Sequence, residues 1–148
     1  MTTMRKLPIG IQSFENIRNE NYLYVDKTAL IYQLVTKGKP YFLSRPRRFG
    51  KSLLISTLEA YFQGKKELFK GLAIDQLEQD WNVYPVLHLD LNARKYESEA
   101  DLVAILNQYL EMWEADYGDE MKLRAPEERF FYVIRRAWEQ TGRQVVVL

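Results

Sequence analysis

Apolar side chains recur every three or four positions in four stretches of the chain, which is the spacing of an amphipathic helix. Two of these stretches are residues 27–36 and 51–62. A third follows Ser98, which with Asp101 forms a variant of the capping box. A fourth begins at Pro126, a residue suited to the first helical position, and ends at Gly142. The apolar stripes of the last two helices, which we expect to lie in the core, are Leu102, Leu106, Tyr109, Leu110 and Trp113, then Phe130, Ile134, Ala137 and Trp138.

Three short apolar runs lack helical spacing, and we expect them to be strands. They are residues 40–44, 86–91 and 145–148. Strands that alternate with helices indicate a parallel sheet covered by helices on both faces. The pattern therefore predicts an α/β fold with a mainly parallel sheet in three layers, α/β/α.

The composition is that of a globular protein, but it indicates no particular function. The chain has 148 residues, of which 47% are hydrophobic and 28% charged, so one globular domain over residues 1–148 is expected. A net charge of +1 gives no general attraction to nucleic acid or membrane. The chain contains no cysteine, which excludes disulfides and thiolate metal sites. No segment has the character of a signal peptide or a membrane span, so a soluble cytoplasmic protein is expected.

The candidate chemistry lies between the strand at residues 40–44 and the helix at residues 51–62. Gly50-Lys51-Ser52 matches the second half of the phosphate-binding loop, or P-loop. The glycine lets the backbone approach phosphate, the lysine supplies a mobile positive charge, and the serine hydroxyl can ligate Mg²⁺. The predicted nucleotide-binding residues are Arg47, Arg48, Phe49, Gly50, Lys51, Ser52 and Leu53, with Ser52 also the predicted metal ligand.

The loop departs from the usual pattern at one position. Arg45 stands where the first glycine is expected, and Pro46 restricts it to an extended conformation that we expect to compensate. Arg45, Arg47 and Arg48 form a basic cluster with two further interpretations, a solvated loop or a contact with nucleic acid.

The segment Arg45-Pro46-Arg47-Arg48-Phe49-Gly50-Lys51-Ser52-Leu53 resembles the P-loop of the AAA-ATPase-like family of bacterial and archaeal proteins. Further resemblances are Leu7-Pro8-Ile9-Gly10, Phe14-Glu15-Asn16-Ile17-Arg18, Tyr24-Val25-Asp26-Lys27-Thr28 and Tyr84-Pro85-Val86-Leu87-His88-Leu89-Asp90. The resemblance implies a P-loop NTPase fold that uses ATP and Mg²⁺. It also implies that arginine at position 45 is usual, and that a nuclease-like domain of the PD-(D/E)XK class commonly follows.

The resemblance to this family extends to the end of the chain. The run Val145-Val146-Val147-Leu148 is similar to the apolar part of the family's Walker B strand, whose acidic residues would follow Leu148. We therefore expect a fold that is incomplete at its C-terminus, and the catalytic residues stay unknown. Nucleic acid is expected as a partner only through a nuclease-like domain, and the oligomeric state is not predicted.

Three other polar residues have two interpretations each. Asp26 is predicted to cap the helix at residues 27–36, with nucleotide positioning as the alternative. Asp90 ends a strand at the edge where parallel sheets bind ligands, and a local turn or cap is the alternative to a role near Mg²⁺. His88 is interpreted as a packed residue rather than a ligand.

Three functional hypotheses follow. The first is an ATP-binding P-loop domain whose parent protein hydrolyses ATP, and whether this chain is itself an enzyme stays open. The second is a regulatory module that binds ATP without hydrolysing it. The third is a nucleic-acid-binding module that uses the Arg45–Arg48 cluster.

Overall fold

The computed structural model describes residues 4–37, 40–41, 43–44, 50–91, 95 and 97–148. The chain divides into two compact units, Met1–Val83 and Tyr84–Leu148, which are described here separately. The sequence-based expectation of a single domain stays a prediction. Within the described ranges, none of the helices combines the length and the apolar character needed to cross a bilayer.

The described part of the first unit is helical. Its elements are α1 (Phe14–Asn19), α2 (Thr28–Thr36), α3 (Lys51–Phe62), a 3-10 helix (Lys66–Phe69) and α4 (Ala73–Leu77). The apolar spacing predicted α2 and α3, and α3 has the predicted bounds. It did not predict α1 and α4, because helices of six and five residues are too short to show a helical period.

An aromatic cluster forms the centre of the first unit. The Phe14 ring lies 4.7 Å from Phe69 and 5.2 Å from Tyr24, measured between ring centroids. Phe69 also contacts Trp81 and Tyr61. Helix α1 and the 3-10 helix supply Phe14 and Phe69, and α3 supplies Tyr61. Edge and tilted ring contacts of this kind add to the stability that burial provides.

The second unit contains two long helices and two short strands. They are β1 (Val86–Leu87), α5 (Glu99–Tyr117), α6 (Pro126–Thr141) and β2 (Val146–Val147). The predicted helix ends are confirmed: Ser98 and Asp101 form a reciprocal capping box, Pro126 begins α6, and Gly142 ends it with a φ of 67°. The left-handed conformation of Gly142 is one that glycine adopts at little cost.

The two strands of the second unit are parallel, as the sequence predicted for this pair. Val86 pairs with Val146, and Leu87 with Val147. Backbone hydrogen bonds extend the pairing, since Val146 donates to Pro85 at 2.9 Å and Leu89 donates to the Leu148 carbonyl at 2.8 Å. The carboxyl ends of both strands therefore lie at one edge of the sheet.

A buried ion pair joins the helices of the second unit. Arg129 on α6 donates from both Nε and Nη2 to the Glu114 carboxylate on α5, and its Nη1 donates to Asn107 Oδ1 at 2.9 Å. The side chains of Arg129 and Glu114 are 7% and 3% exposed. The surrounding apolar core contains Leu87, Leu110, Trp113 and Val133.

Three predictions about apolar residues are wrong. Leu102, which was expected in the core, is 37% exposed in the first turn of α5. Trp138 is 57% exposed, because Arg129, Val133 and Ala137 occupy the centre of the buried face of α6 and Trp138 lies on its margin. The run at residues 40–44 was predicted as a buried strand. Its described members, Pro40, Tyr41, Leu43 and Ser44, are not in a strand, and Tyr41 and Leu43 are 51% and 44% exposed.

A short apolar run does not by itself distinguish a strand from other structure, and Phe42 lies outside the described residues. Among the described residues the sheet has two strands. The three-layer P-loop fold accordingly stays a prediction.

Candidate functional site

The N-terminus of α3 is the part of the predicted site that the structure describes. Gly50 precedes the helix with a φ of 82°, and its carbonyl accepts a hydrogen bond from Leu54 N at 3.0 Å. A Cβ added to Gly50 would meet none of the described residues within 4 Å. The left-handed backbone therefore favours glycine here, and the described residues leave the space above it open to a ligand.

The first turn of α3 carries positive potential that its own side chains do not neutralise. Lys51 and Ser52 are exposed, and no acidic residue lies in this turn. The first amides of a helix have no partner within the helix, and the helix dipole places partial positive charge there. This arrangement can attract and hold an anion, to which Lys51 adds a full charge.

The structure locates four of the seven predicted nucleotide-binding residues. Gly50, Lys51 and Ser52 are at the exposed start of α3, and Leu53 is half-buried beside them. The other three, Arg47, Arg48 and Phe49, lie outside the described residues, as do Arg45 and Pro46.

The predicted metal ligand Ser52 is not part of a cluster of acidic or histidine side chains. The described ranges contain no group of three or more His, Cys, Asp or Glu residues placed to hold a metal ion. A Mg²⁺ ion that binds nucleotide phosphates commonly keeps several water ligands and takes few ligands from protein. The exposed hydroxyl of Ser52 suits that mode of binding.

Two hydroxyl side chains that the sequence analysis did not single out connect α3 to the rest of the first unit. Ser56 Oγ accepts from Phe14 N at 3.0 Å and lies 3.0 Å from the Gln12 carbonyl, to which it can donate. Thr57, which is buried, donates to the Leu53 carbonyl at 2.6 Å. Serine and threonine inside a helix often donate to a carbonyl one turn earlier. Their position within a helix was therefore the only sequence signal for these contacts.

Asp26 connects the N-termini of two helices. Its Oδ1 accepts from Thr28 N at 2.9 Å and from Thr28 Oγ1 at 2.6 Å, and its Oδ2 accepts from Ala73 N at 2.7 Å. Partial burial raises the pKa of the Asp26 carboxyl, but the hydrogen bonds from Thr28 and Ala73 and the charge of Arg18 outweigh it, so the pKa lies below its ordinary value. Lys27 is the N-cap residue of α2 and makes no side-chain cap hydrogen bond, so the predicted N-cap is one residue off. Asp26 nevertheless accepts from the first amide of α2, as a capping residue does.

In the second unit, Asp90 follows the paired strand at the carboxyl edge of the sheet. The Tyr109 hydroxyl accepts from Asp90 N at 3.2 Å and lies 3.1 Å from the Asp90 carbonyl, to which it can donate. His88 is half-buried. Asp90 is exposed, so a role of its carboxylate near Mg²⁺ stays a hypothesis.

A glycine with positive φ leads directly into a helix that starts with lysine and serine, an arrangement that can bind an anion. The family model described as "Predicted AAA-ATPase" matches residues 8–148, and the chain belongs to this AAA-ATPase-like family.

A protein of Azotobacter chroococcum mcd 1, named "Uncharacterized protein in vnfD 5'region", is 42% identical over 146 residues. The match covers 97% of this chain and 28% of the relative, so the chain spans less than a third of that protein's length. No solved structure matches the chain.

Proposed function

We propose that this chain binds ATP together with Mg²⁺ through the loop that ends at Gly50 and the first turn of α3. The observation that carries the proposal is the left-handed Gly50 next to the exposed Lys51 and Ser52. Membership of a family described as predicted AAA-ATPases supports nucleotide as the anion. A cytoplasmic location suits this function and is part of the proposal.

The residues present fit a triphosphate with its metal. The open space above Gly50 admits phosphate oxygens close to the backbone, and the first amides of α3 can donate to them. Lys51 can reach oxygens of the terminal phosphates, and the Ser52 hydroxyl can ligate Mg²⁺. The bound metal would neutralise charge on the phosphate oxygens.

ATP hydrolysis is proposed as the activity of the whole protein rather than of these residues alone. The described residues provide phosphate and metal binding, and none of them is assigned to the activation of water. Because the chain spans 28% of its relative, further catalytic groups and a nuclease-like domain belong to that wider proposal.

The test is to compare Lys51→Ala with Lys66→Ala, which removes another exposed lysine of the same unit. We expect Lys51→Ala to weaken ATP binding at least about a hundredfold in calorimetric titration with Mg²⁺, because charge-assisted phosphate contacts are lost. The thermal midpoint should not change, since an exposed side chain contributes little to packing. The control variant should bind as the parent does.

Unchanged ATP affinity of a folded Lys51→Ala protein would refute the proposal. The nucleic-acid hypothesis is tested in the same titration by replacing ATP with a single-stranded oligonucleotide. Tight oligonucleotide binding that Lys51→Ala does not weaken would favour the arginine cluster as the functional site.

A further inference from the structure

The short segment Tyr24–Thr28 lies at the start of α2 and contacts α3. These are the two helices that flank the phosphate-binding loop in the sequence. Helix α2 ends at Thr36, before residues 37–50, and α3 begins directly after them at Lys51. The two ends of that stretch are therefore positioned by two helices. The segment Tyr24–Thr28 lies at the start of one helix and contacts the other.

The contact with α3 is made by Tyr24. Its ring packs edge-on against Phe14, whose amide donates to Ser56 Oγ on α3 at 3.0 Å. Its hydroxyl interacts with the buried Thr57 of the same helix. Burial raises the pKa of the Tyr24 hydroxyl above its ordinary value, and the bond with Thr57 partly offsets this. Thr57 in turn donates to the carbonyl of Leu53, the third residue of α3. Tyr24 is thus linked to α3 through both Phe14 and Thr57.

The contact at the start of α2 is made by Thr28, which is fully buried. Its hydroxyl donates to Asp26 Oδ1 at 2.6 Å and accepts from Ile74 N at 3.1 Å. Because Asp26 also accepts from Ala73 N, the N-termini of α2 and α4 share one polar junction. A satisfied buried junction of this kind fixes the elements it joins.

The position of α4 is itself fixed from α1. The Arg18 guanidinium donates to the carbonyls of Leu68 and Lys70, each at 2.7 Å, where the 3-10 helix ends and the chain turns toward α4. Helix α2 is therefore attached through Thr28 to a part of the unit that is held independently of the phosphate-binding loop.

We propose that Tyr24 and Thr28 are positioning residues for the triphosphate, because they fix the two helices that precede and follow the phosphate-binding loop in the sequence. The inference rests on the proposed ATP function and adds residues that do not touch the nucleotide. Phosphate binding by backbone amides depends on placement within about 1 Å, so a small shift of either helix should weaken it.

The experiment compares Thr28→Val, which keeps the shape but removes the hydroxyl, with Thr28→Ser, which keeps the hydroxyl. The matched control is Thr36→Val, the same substitution at the other end of α2, where the described partners of the hydroxyl are the Tyr32 and Gln33 carbonyls of its own helix. Affinities for MgATP and for inorganic tripolyphosphate are measured well below each variant's unfolding midpoint, so that loss of folded protein does not contribute.

We expect Thr28→Val to weaken both ligands about tenfold, as for the loss of one or two buried hydrogen bonds. Thr28→Ser should restore affinity to within about twofold, and Thr36→Val should bind as the parent does. An equal loss for tripolyphosphate places the effect at the phosphates, because that ligand has no base or sugar. A loss for ATP alone would overturn the inference.

Tyr24→Phe provides a second, milder variant, since the ring stays against Phe14 and only the hydroxyl is removed. It keeps the inference testable if Thr28→Val does not fold, and we expect weaker binding of both ligands. If the folded Tyr24 and Thr28 variants bind normally while Lys51→Ala loses binding, the inference is wrong and the proposed function stands. If Lys51→Ala binds normally, the proposed function itself is wrong.

Discussion

Helices α3 and α6 both carry a basic side chain in their first turn, but one of these side chains is exposed and the other is buried in an ion pair. Arg129, the fourth residue of α6, is buried against Glu114 and Asn107, and two exposed carboxylates, Glu127 and Glu128, precede it. Lys51, the first residue of α3, is exposed, and within the part of the chain that the structure describes it forms no ion pair. The first turn of α6 therefore carries its own carboxylates, whereas the first turn of α3 has none.

The difference separates a structural helix end from one suited to an external ligand. A helix whose first turn carries its own carboxylates repels other anions, and the charge of a buried arginine that already pairs with a carboxylate is not available to them. At α3 the lysine, the first amides and the open space above Gly50 all stay accessible to an anion. Substitutions at either helix test this difference.

The largest effect is expected at α6. Arg129→Met should lower the free energy of unfolding by about 3–5 kcal/mol, because it leaves the buried Glu114 carboxylate without its partner. Urea denaturation followed by tryptophan fluorescence measures this loss. The double variant Arg129→Met with Glu114→Leu should recover most of it, since an apolar pair of similar size leaves no buried charge.

That recovery distinguishes the two helices, since restoring neutrality at α6 restores stability. If the double variant were as unstable as the single one, the ion pair would contribute through specific geometry rather than through compensation of charge.

The next largest effect should come from making α3 resemble α6. Ser52→Asp places a carboxylate in the first turn of α3, which has none. We expect ATP affinity to fall at least about a hundredfold through repulsion of phosphate, while helix stability rises by about 0.3–1 kcal/mol. Weaker ATP binding together with higher stability would indicate a ligand site whose helix N-terminus is not neutralised by carboxylates of the protein itself.

Ser52→Ala is the control for the loss of the hydroxyl alone. It should weaken binding with Mg²⁺ and leave binding in EDTA nearly unchanged, because only the metal ligand is removed. If Ser52→Asp binds MgATP as well as Ser52→Ala does, the first turn of α3 does not contact phosphate.

A smaller effect separates the two roles of Gly50. Gly50→Val should destabilise the protein by about 1–2 kcal/mol through its positive φ, and it should also place a bulky side chain in the phosphate path. Gly50→Asn tolerates the left-handed conformation, so its stability should stay near that of the parent. We expect both variants to lose ATP affinity, with Asn about tenfold weaker than the parent.

Normal ATP affinity in Gly50→Asn would show that the glycine serves only the backbone. Arg45→Gly restores the commoner loop pattern and should be less damaging than Gly50→Val. If it were more damaging, Arg45 would contact the ligand directly.

The sequence predicted best those features whose signals come from residues close together in the chain. The bounds of α3 followed from apolar spacing over twelve residues, the start of α5 from Ser98, and both ends of α6 from Pro126 and Gly142. These signals involve residues that are close together in the sequence, and no tertiary contact overrode them. The strand at residues 40–44 failed because a strand depends on distant pairing partners.

The buried polar residues could not be predicted for a related reason. Arg129 and Glu114 belong to types that usually face solvent, and only the packing of α5 on α6 brings them together. Thr28 and Ser56 bond backbone groups more than forty positions away. For the site, Gly50-Lys51-Ser52 was recognisable as a motif, but the residues that hold it in place left no local pattern.

The smallest effect concerns Asp26, which provides a third way to neutralise a helix N-terminus, one carboxylate shared by α2 and α4. Because the hydrogen bonds and Arg18 depress the pKa of Asp26 in the folded protein, its contribution to stability is complete above the ordinary carboxyl pKa of about 4 and is lost as pH falls through the lowered value. Asp26→Asn removes this titration and turns a donor toward Ala73 N. We expect the variant to be less stable than the parent at pH 7, with urea midpoints that converge as the pH falls below 4. Midpoints measured between pH 7 and 2.5 test this, and two parallel curves would show that the Asp26 charge does not stabilise the junction.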